Sequence, residues 1–71
     1  MVRIENVRAN DGNRDAVLDI QVSEVSDLPA KNSILCGFKV KEGSIAFIVQ
    51  TGAWATLDED GKWYTDGSEV S

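Results

Sequence analysis

The chain lacks histidine and has a single cysteine, Cys36, among its 71 residues. One cysteine forms no internal disulfide. No glycine-rich phosphate loop is present, and without histidine no hydroxyl or thiol has the usual base beside it. The sequence therefore predicts a protein that is not an enzyme and that has no metal site and no cofactor. Cys36 is predicted to be buried, because free cysteine is among the most buried residue types.

Long apolar segments are also missing. The longest apolar run, Ile45 to Val49, is far shorter than the roughly 20 residues that a membrane-spanning helix requires. Residues 1–11 contain no apolar segment of the kind found in signal peptides. We therefore expect a cytoplasmic protein with no membrane partner.

Basic residues are scarce: seven Lys and Arg stand against twelve Asp and Glu, for a net charge of -5. Such a surface repels phosphate backbones, so no nucleic-acid partner is expected, and a small nucleic-acid-binding barrel is the least favoured alternative. The one acidic run, residues 58–60, lacks the ligand spacing of a calcium loop, because Lys62 and Trp63 stand where further oxygen ligands would be needed. It is predicted to be a hairpin turn.

Most of the chain shows the two-residue periodicity of β-strands, and its length allows one domain. Residues 2–7 and 16–25 alternate between apolar and polar side chains, and the turn-forming residues 10–13 separate them. Residues 1–25 are therefore predicted to form an N-terminal hairpin.

Residues 26–33, "SDLPAKNS", interrupt the alternation. Pro29 fixes its own φ and restricts Leu28 to an extended conformation. We expect a capped turn or a single helical turn here, with Leu28 filling the edge of the core.

Residues 34–66 are predicted to form a meander. Residues 34–42 are expected to be one strand, and residues 45–49, apolar throughout, a central strand covered on both faces. The sequence thus predicts a mainly β fold, a small antiparallel meander or barrel-like sheet of about five to six short strands with one helical turn near Leu28-Pro29. Residues 1–66 would be a single domain, and residues 67–71 a frayed polar tail.

The aromatic residues divide into two groups. Phe47 and Trp63 are expected in the core, because each aromatic side chain buries a large apolar area. Trp54 and Tyr64 are better placed for exposure and for contact with another chain. The alternative is a carbohydrate-binding module, in which Trp54 and Tyr64 stack on a sugar ring while residue 58 or 60, both aspartates, accepts hydrogen bonds from its hydroxyl groups.

One ordered pattern covers residues 26–64. "SDLPA" precedes "GSIAFIVQTGAWATLDEDGKWY", in which Gly-Ser opens an apolar strand, Thr-Gly ends it, and Asp-Gly-Lys-Trp closes the next hairpin. This order resembles short β-modules of bacteriophage and prophage proteins, including modules of tail-fibre and head-fibre proteins. The resemblance implies that Leu28-Pro29 fixes the entry into the meander, that Gly43 and Gly52 permit turns, and that Trp63 anchors the last strand.

The resemblance also implies a role and a set of partners. It implies a non-enzymatic virion structural or assembly protein that acts through protein–protein contacts. The partners would be further copies of the chain, in a homo-oligomer, and other virion proteins, with a cell-surface saccharide in the carbohydrate-binding alternative. The protein would reside in the cytoplasm of the bacterial host and then in the virion.

Overall fold

A computed structural model describes residues 1–10 and 15–70 of the chain. Within these residues, eight strands form one open sheet, and the single helical element is a 3₁₀ turn at Val25–Asp27. The strands are β1 (Val2–Asn10), β2 (Asp15–Val22), β3 (Ile34–Leu35), β4 (Phe38–Val40), β5 (Ile45–Ile48), β6 (Ala53–Leu57), β7 (Trp63–Thr65) and β8 (Ser68–Val70). The predicted mainly β class is therefore confirmed.

Strand β2 is the centre of the sheet because three strands of the described chain pair with it. Along one edge it pairs antiparallel with β1, as the predicted hairpin requires. Along its other edge it pairs in parallel first with β4 and then with β5, so that Ala16 is opposite Val40 and Ile20 is opposite Ala46. Strand β3 adds antiparallel to β4, and β6, β7 and β8 follow β5 as an antiparallel meander.

The predicted sheet was wrong in three respects. The sheet has more strands than the five to six expected, it is mixed rather than antiparallel, and it does not close into a barrel. The mixed pairing arises from the crossover formed by residues 23–33. This segment returns the chain to the start of β2, so that β4 and β5 run in the same direction as β2. Val25 and Leu28 of the crossover pack against the core.

The core lies on one face of the sheet, which we call the inner face. Alternate residues of β2 are buried there, and their neighbours on β5, β6 and β7 continue the same rows. The buried side chains are Ala16, Leu18, Ile20, Val22, Val40, Ala46, Ile48, Ala55, Leu57 and Trp63. The opposite, outer face receives no such cover from residues 1–10 and 15–70.

This one-sided cover corrects two expectations for β5, namely that Phe47 lies in the core and that the whole strand is covered on both faces. Instead, Ile45 and Phe47 point to the outer face and are only half-buried, and Val49 is 51% exposed. Val25 and Leu28 of the crossover pack against the core, whereas the outer-face residues of β5 stay only half-buried, so the apolar run is not buried on both sides.

The segment expected to be a single strand at residues 34–42 is a hairpin. A tight turn at Cys36 and Gly37 separates β3 from β4, and both turn residues have positive φ (51° and 86°). Two successive positive φ values are typical of a two-residue hairpin turn. Cys36 lies at the tip and is exposed, so its predicted burial was wrong.

The predicted polar tail also differs from expectation. Ser68–Val70, within the predicted polar tail, form β8, and Val70 is paired with Trp63. Asp66 and Gly67, both with positive φ, make the turn that leads into it. In the turn predicted at residues 10–13, residues 11–13 lie outside the described part of the chain.

A buried hydroxyl group joins β2 to the junction between β4 and β5. Ser44 is fully buried; its Oγ accepts a hydrogen bond from the Leu18 amide at 3.0 Å and donates one to the Lys41 carbonyl at 2.7 Å. The parallel pairing with β2 is interrupted here, because residues 41–44 form a turn between β4 and β5. The Ser44 side chain supplies the acceptor that a strand carbonyl would otherwise provide.

Candidate functional site

An exposed tryptophan stands on the outer face of the sheet. Trp54 of β6 lies directly opposite Phe47 of β5, with ring centroids 5.0 Å apart and planes inclined at 56°. This is a favourable tilted aromatic pair. Trp54 nevertheless remains 58% exposed. Phe47 therefore supports the indole from one side and leaves a large part of its surface open to solvent.

The two rings form part of a shallow cleft of about 350 Å³. We call it the aromatic cleft; its lining includes Glu5, Asp19, Gln21, Ile45, Phe47 and Trp54. Strand pairing explains why these residues meet. Gln21 is opposite Phe47 and Asp19 is opposite Ile45 across the parallel β2–β5 pair, while β1 contributes Glu5 from a β-bulge. The cleft thus has an apolar side on β5 and β6 and a polar side on β1 and β2.

Two arginines neutralise the carboxylates on the polar side. Arg3 Nη2 donates to Glu5 Oε1 at 2.6 Å and, at 3.4 Å, to Gln21 Oε1. Arg8 Nε lies 2.5 Å from Asp19 Oδ1, and Arg8 Nη2 donates to the Gly43 carbonyl oxygen at 2.5 Å. Each carboxylate therefore has one arginine partner, and the polar side of the cleft has no excess of charge.

Tyr64 is held by a neighbouring acid. Its hydroxyl donates to Asp60 Oδ2 at 2.6 Å, and the Lys62 amide donates to Asp60 Oδ1 at 2.9 Å. The hydrogen bond with Asp60 raises the pKa of Tyr64 to about 12 and holds the pKa of Asp60 below its ordinary value. Each carboxylate oxygen of Asp60 therefore already accepts one hydrogen bond within the chain.

The structure places the other predicted site residues in supporting positions, outside the aromatic cleft. Trp63 is 6% exposed and lies in the core, where its indole nitrogen donates to the Pro29 carbonyl oxygen at 2.8 Å. Leu28 is partly buried against the core. Gly43 and Gly52 have φ values of 92° and 72°, which side chains rarely tolerate, and both lie in turns that flank β5.

A second exposed surface was missed at the sequence level. In the β3–β4 hairpin, residues 34–38 are apolar or glycine; we call this segment the apolar hairpin. Ile34 is 57% exposed and Cys36 is exposed at the tip, whereas Leu35 and Phe38 pack partly against the core. A glycine directly after Cys36 was the available signal for a tight turn, but Cys-Gly is a far weaker turn signature than Asn-Gly.

Within residues 1–10 and 15–70, no three His, Cys, Asp or Glu side chains are grouped closely enough to hold a metal ion. In the same residues, no helix has the length and apolar character to cross a lipid bilayer.

Comparison of the chain with protein-family models, with curated proteins and with solved structures found no match. Function is therefore inferred from the surface chemistry of the sheet and from the pattern in residues 26–64.

Proposed function

We propose that this chain is a non-enzymatic structural or assembly protein of a bacteriophage or prophage virion, of the tail-fibre or head-fibre type. It acts through protein–protein contacts with further copies of itself and with other virion proteins. It is made in the cytoplasm of the bacterial host and then becomes part of the particle. The phage assignment is supported by the ordered pattern in residues 26–64, and the mode of action by the surface of the sheet.

The observation that carries the proposal is the exposed apolar hairpin. Ile34 and Cys36 are held outward by a short two-strand hairpin whose other apolar residues, Leu35 and Phe38, attach it to the core. Removing apolar surface from water gains about 25 cal/mol per Å². Burial of the exposed Ile34 side chain by a second chain would therefore be favourable.

The small surface of the molecule means that a stable interface would cover a large share of it. A stable interface takes roughly 800 Å² from each side, which is about a fifth of the 4163 Å² that this chain exposes. The apolar hairpin would then be the centre of a contact that extends over neighbouring strands. Most oligomers of single chains are symmetric, so a repeated contact of this kind generates a closed ring or dimer.

Light scattering coupled to size-exclusion chromatography tests the self-association. We expect an oligomer for the natural chain and a shift toward monomer for Ile34→Thr, which keeps the β-branch and removes apolar surface. Val49→Thr is the matched control, because Val49 is also an exposed aliphatic residue but lies in the turn after β5. A monomer at high micromolar concentration, or equal effects of both variants, would contradict the contact proposed for the hairpin.

Mass spectrometry of purified particles tests the virion assignment. Phage induced from the bacterial strain that encodes this chain should contain its peptides after gradient purification, in a fixed ratio to the major capsid protein. Peptides found only in the unfractionated lysate would contradict a structural role in the particle.

A further inference from the structure

The aromatic cleft has an apolar side formed by two rings. Trp54 and Phe47 belong to adjacent strands, are paired directly across them, and have their ring planes inclined at 56°. A flat aromatic surface left open in this way is suited to a ligand with a flat apolar face. Sugar rings have such a face, formed by their axial C–H groups, beside hydroxyl groups at the ring edge.

The polar side of the cleft offers donors and acceptors next to these rings. The carboxamide nitrogen of Gln21 makes no hydrogen bond within the described residues, and Gln21 Oε1 accepts only a long one of 3.4 Å from Arg3. Glu5 receives both of its hydrogen bonds from Arg3 on Oε1, which leaves Oε2 available. A hydroxyl group both donates and accepts, so it can bond to a carboxylate and a carboxamide that lie close together.

The paired charges of the cleft disfavour charged ligands. Glu5 and Asp19 each have an arginine partner, in Arg3 and Arg8, so neither an anion nor a cation finds an unpaired opposite charge on these described side chains. The net charge of -5 further disfavours anionic ligands. The volume of about 350 Å³ is near the lower end of small-ligand sites, which begin at about 300 Å³. These features favour a small uncharged ligand.

We propose that the aromatic cleft binds an uncharged saccharide, with one sugar ring stacked on Trp54 and its hydroxyl groups bonded to Gln21 and Glu5. This site goes beyond the protein–protein contacts proposed for the apolar hairpin and is independent of them. It also differs from the combination expected from the sequence, because Asp60 is engaged with Tyr64 and the polar partners come from β1 and β2 instead.

Isothermal titration calorimetry with neutral oligosaccharides tests the proposal. The probes are oligomers of glucose, galactose, mannose and N-acetylglucosamine, with sialyllactose as the charged comparison. We expect saturable binding of at least one neutral probe below about 10 mM. No saturable heat with any neutral probe, or tighter binding of sialyllactose than of all neutral probes, would overturn the proposal.

Variants locate the site. We expect Trp54→Ala to weaken binding about tenfold or more and Trp54→Phe to restore part of the affinity, because an aromatic plate is kept. Gln21→Ala should weaken binding about fivefold through the lost hydrogen bonds. Val49→Thr, outside the cleft, should bind as the natural chain does. Far-UV circular dichroism of each variant checks folding, and equal weakening by Val49→Thr would overturn the location.

Two further outcomes separate this site from the self-association surface. Ile34→Thr should keep its saccharide affinity even when it loses the oligomer, which would leave both proposals standing. If instead Trp54→Ala converts the oligomer to monomer while the natural chain binds no saccharide, a second copy is the occupant of the cleft and the saccharide proposal fails.

Discussion

The indole nitrogen of Trp63 donates a hydrogen bond to the carbonyl oxygen of Pro29, 34 positions earlier in the chain, at a distance of 2.8 Å. The contact ties β7 to the crossover that follows β2. It satisfies the polar atom of an otherwise apolar buried side chain. The same bond holds the crossover against the inner face, where Leu28 packs against the core.

Trp63→Phe should lower the free energy of unfolding by about 2–3 kcal/mol, because it removes this hydrogen bond and leaves a space beside the core. Urea denaturation followed by far-UV circular dichroism measures the loss. Trp54→Phe is the matched control; Trp54 is exposed, so the same change there should cost less than about 0.5 kcal/mol. Similar losses in both variants would contradict the role assigned to Trp63.

Ser44→Ala should destabilise the protein by about 1–3 kcal/mol, because the buried Leu18 amide would lose the hydroxyl oxygen that accepts its hydrogen bond. The measurement is the midpoint of urea denaturation at constant slope. Ser68→Ala provides the comparison, since Ser68 lies exposed on the short edge strand β8. A midpoint unchanged by Ser44→Ala would show that the β4–β5 junction does not depend on this hydroxyl.

Cys36→Asn should raise stability by about 0.5–1 kcal/mol, because asparagine tolerates the positive φ of 51° that Cys36 adopts and Asn-Gly is the preferred pair for such a turn. Cys36→Ser, which is similar in size but has no such preference, should leave stability nearly unchanged. Thermal denaturation under reducing conditions distinguishes the two variants. An equal gain in both would assign the effect to loss of the thiol and not to the turn.

The Tyr64–Asp60 hydrogen bond should appear in the titration of the single tyrosine. Its pKa is raised to about 12, so absorbance at 295 nm should report tyrosinate only at strongly alkaline pH. Asp60→Asn should move this pKa down toward 10, because the negatively charged acceptor is lost. A pKa near 10 in the natural chain would contradict the bond.

The Tyr64–Asp60 hydrogen bond also makes the stability of the protein depend on pH. The folded-state pKa of Tyr64 is raised above its ordinary value of 10, so its contribution to stability is complete below pH 10 and is lost as the pH rises through about 12. The folded-state pKa of Asp60 is lowered. The contribution of Asp60 to stability is therefore present when the pH is above the ordinary pKa of an aspartate, and it is lost as the pH falls through the folded-state pKa. Tyr64→Phe should remove the alkaline dependence and weaken the acidic one, because Asp60 keeps the hydrogen bond from the Lys62 amide; denaturation curves recorded across pH measure both.

Alternation along the chain correctly predicted which residues of β2 face the core. In β1 it was only partly correct, because β-bulges bring Val7 to the same side as Val2 and Ile4. It did not predict the neighbours of each strand. Alternation in a strand shows which of its faces is buried, and it is the same whether the neighbouring strand is parallel or antiparallel. The sequence of β2 therefore did not indicate that β5 would pair with it in parallel. The direction of β5 depends on the crossover. Pro29 of the crossover is bonded to Trp63 of β7, and these two residues are far apart in the chain.

The candidate sites were predictable to different degrees. The exposure of Trp54 agrees with its place in an alternating strand, where Thr56, two positions later, is exposed on the same face. Phe47 was wrongly placed because a continuous apolar run does not reveal that one face of its strand remains uncovered. The polar side of the aromatic cleft was not anticipated, since Glu5 and Gln21 meet Trp54 only through the pairing of β1, β2, β5 and β6.

The parallel pairing of β2 with β5 has a consequence for synthesis on the ribosome. Asp19 is paired with Ile45, which is translated 26 residues later. At about 5–20 residues per second, the part of β2 around Asp19 waits roughly 1–5 s before its partner in β5 is translated. Throughout this interval one long edge of the nascent hairpin is unprotected, so a chaperone near the exit tunnel has its best opportunity to engage the chain at that stage.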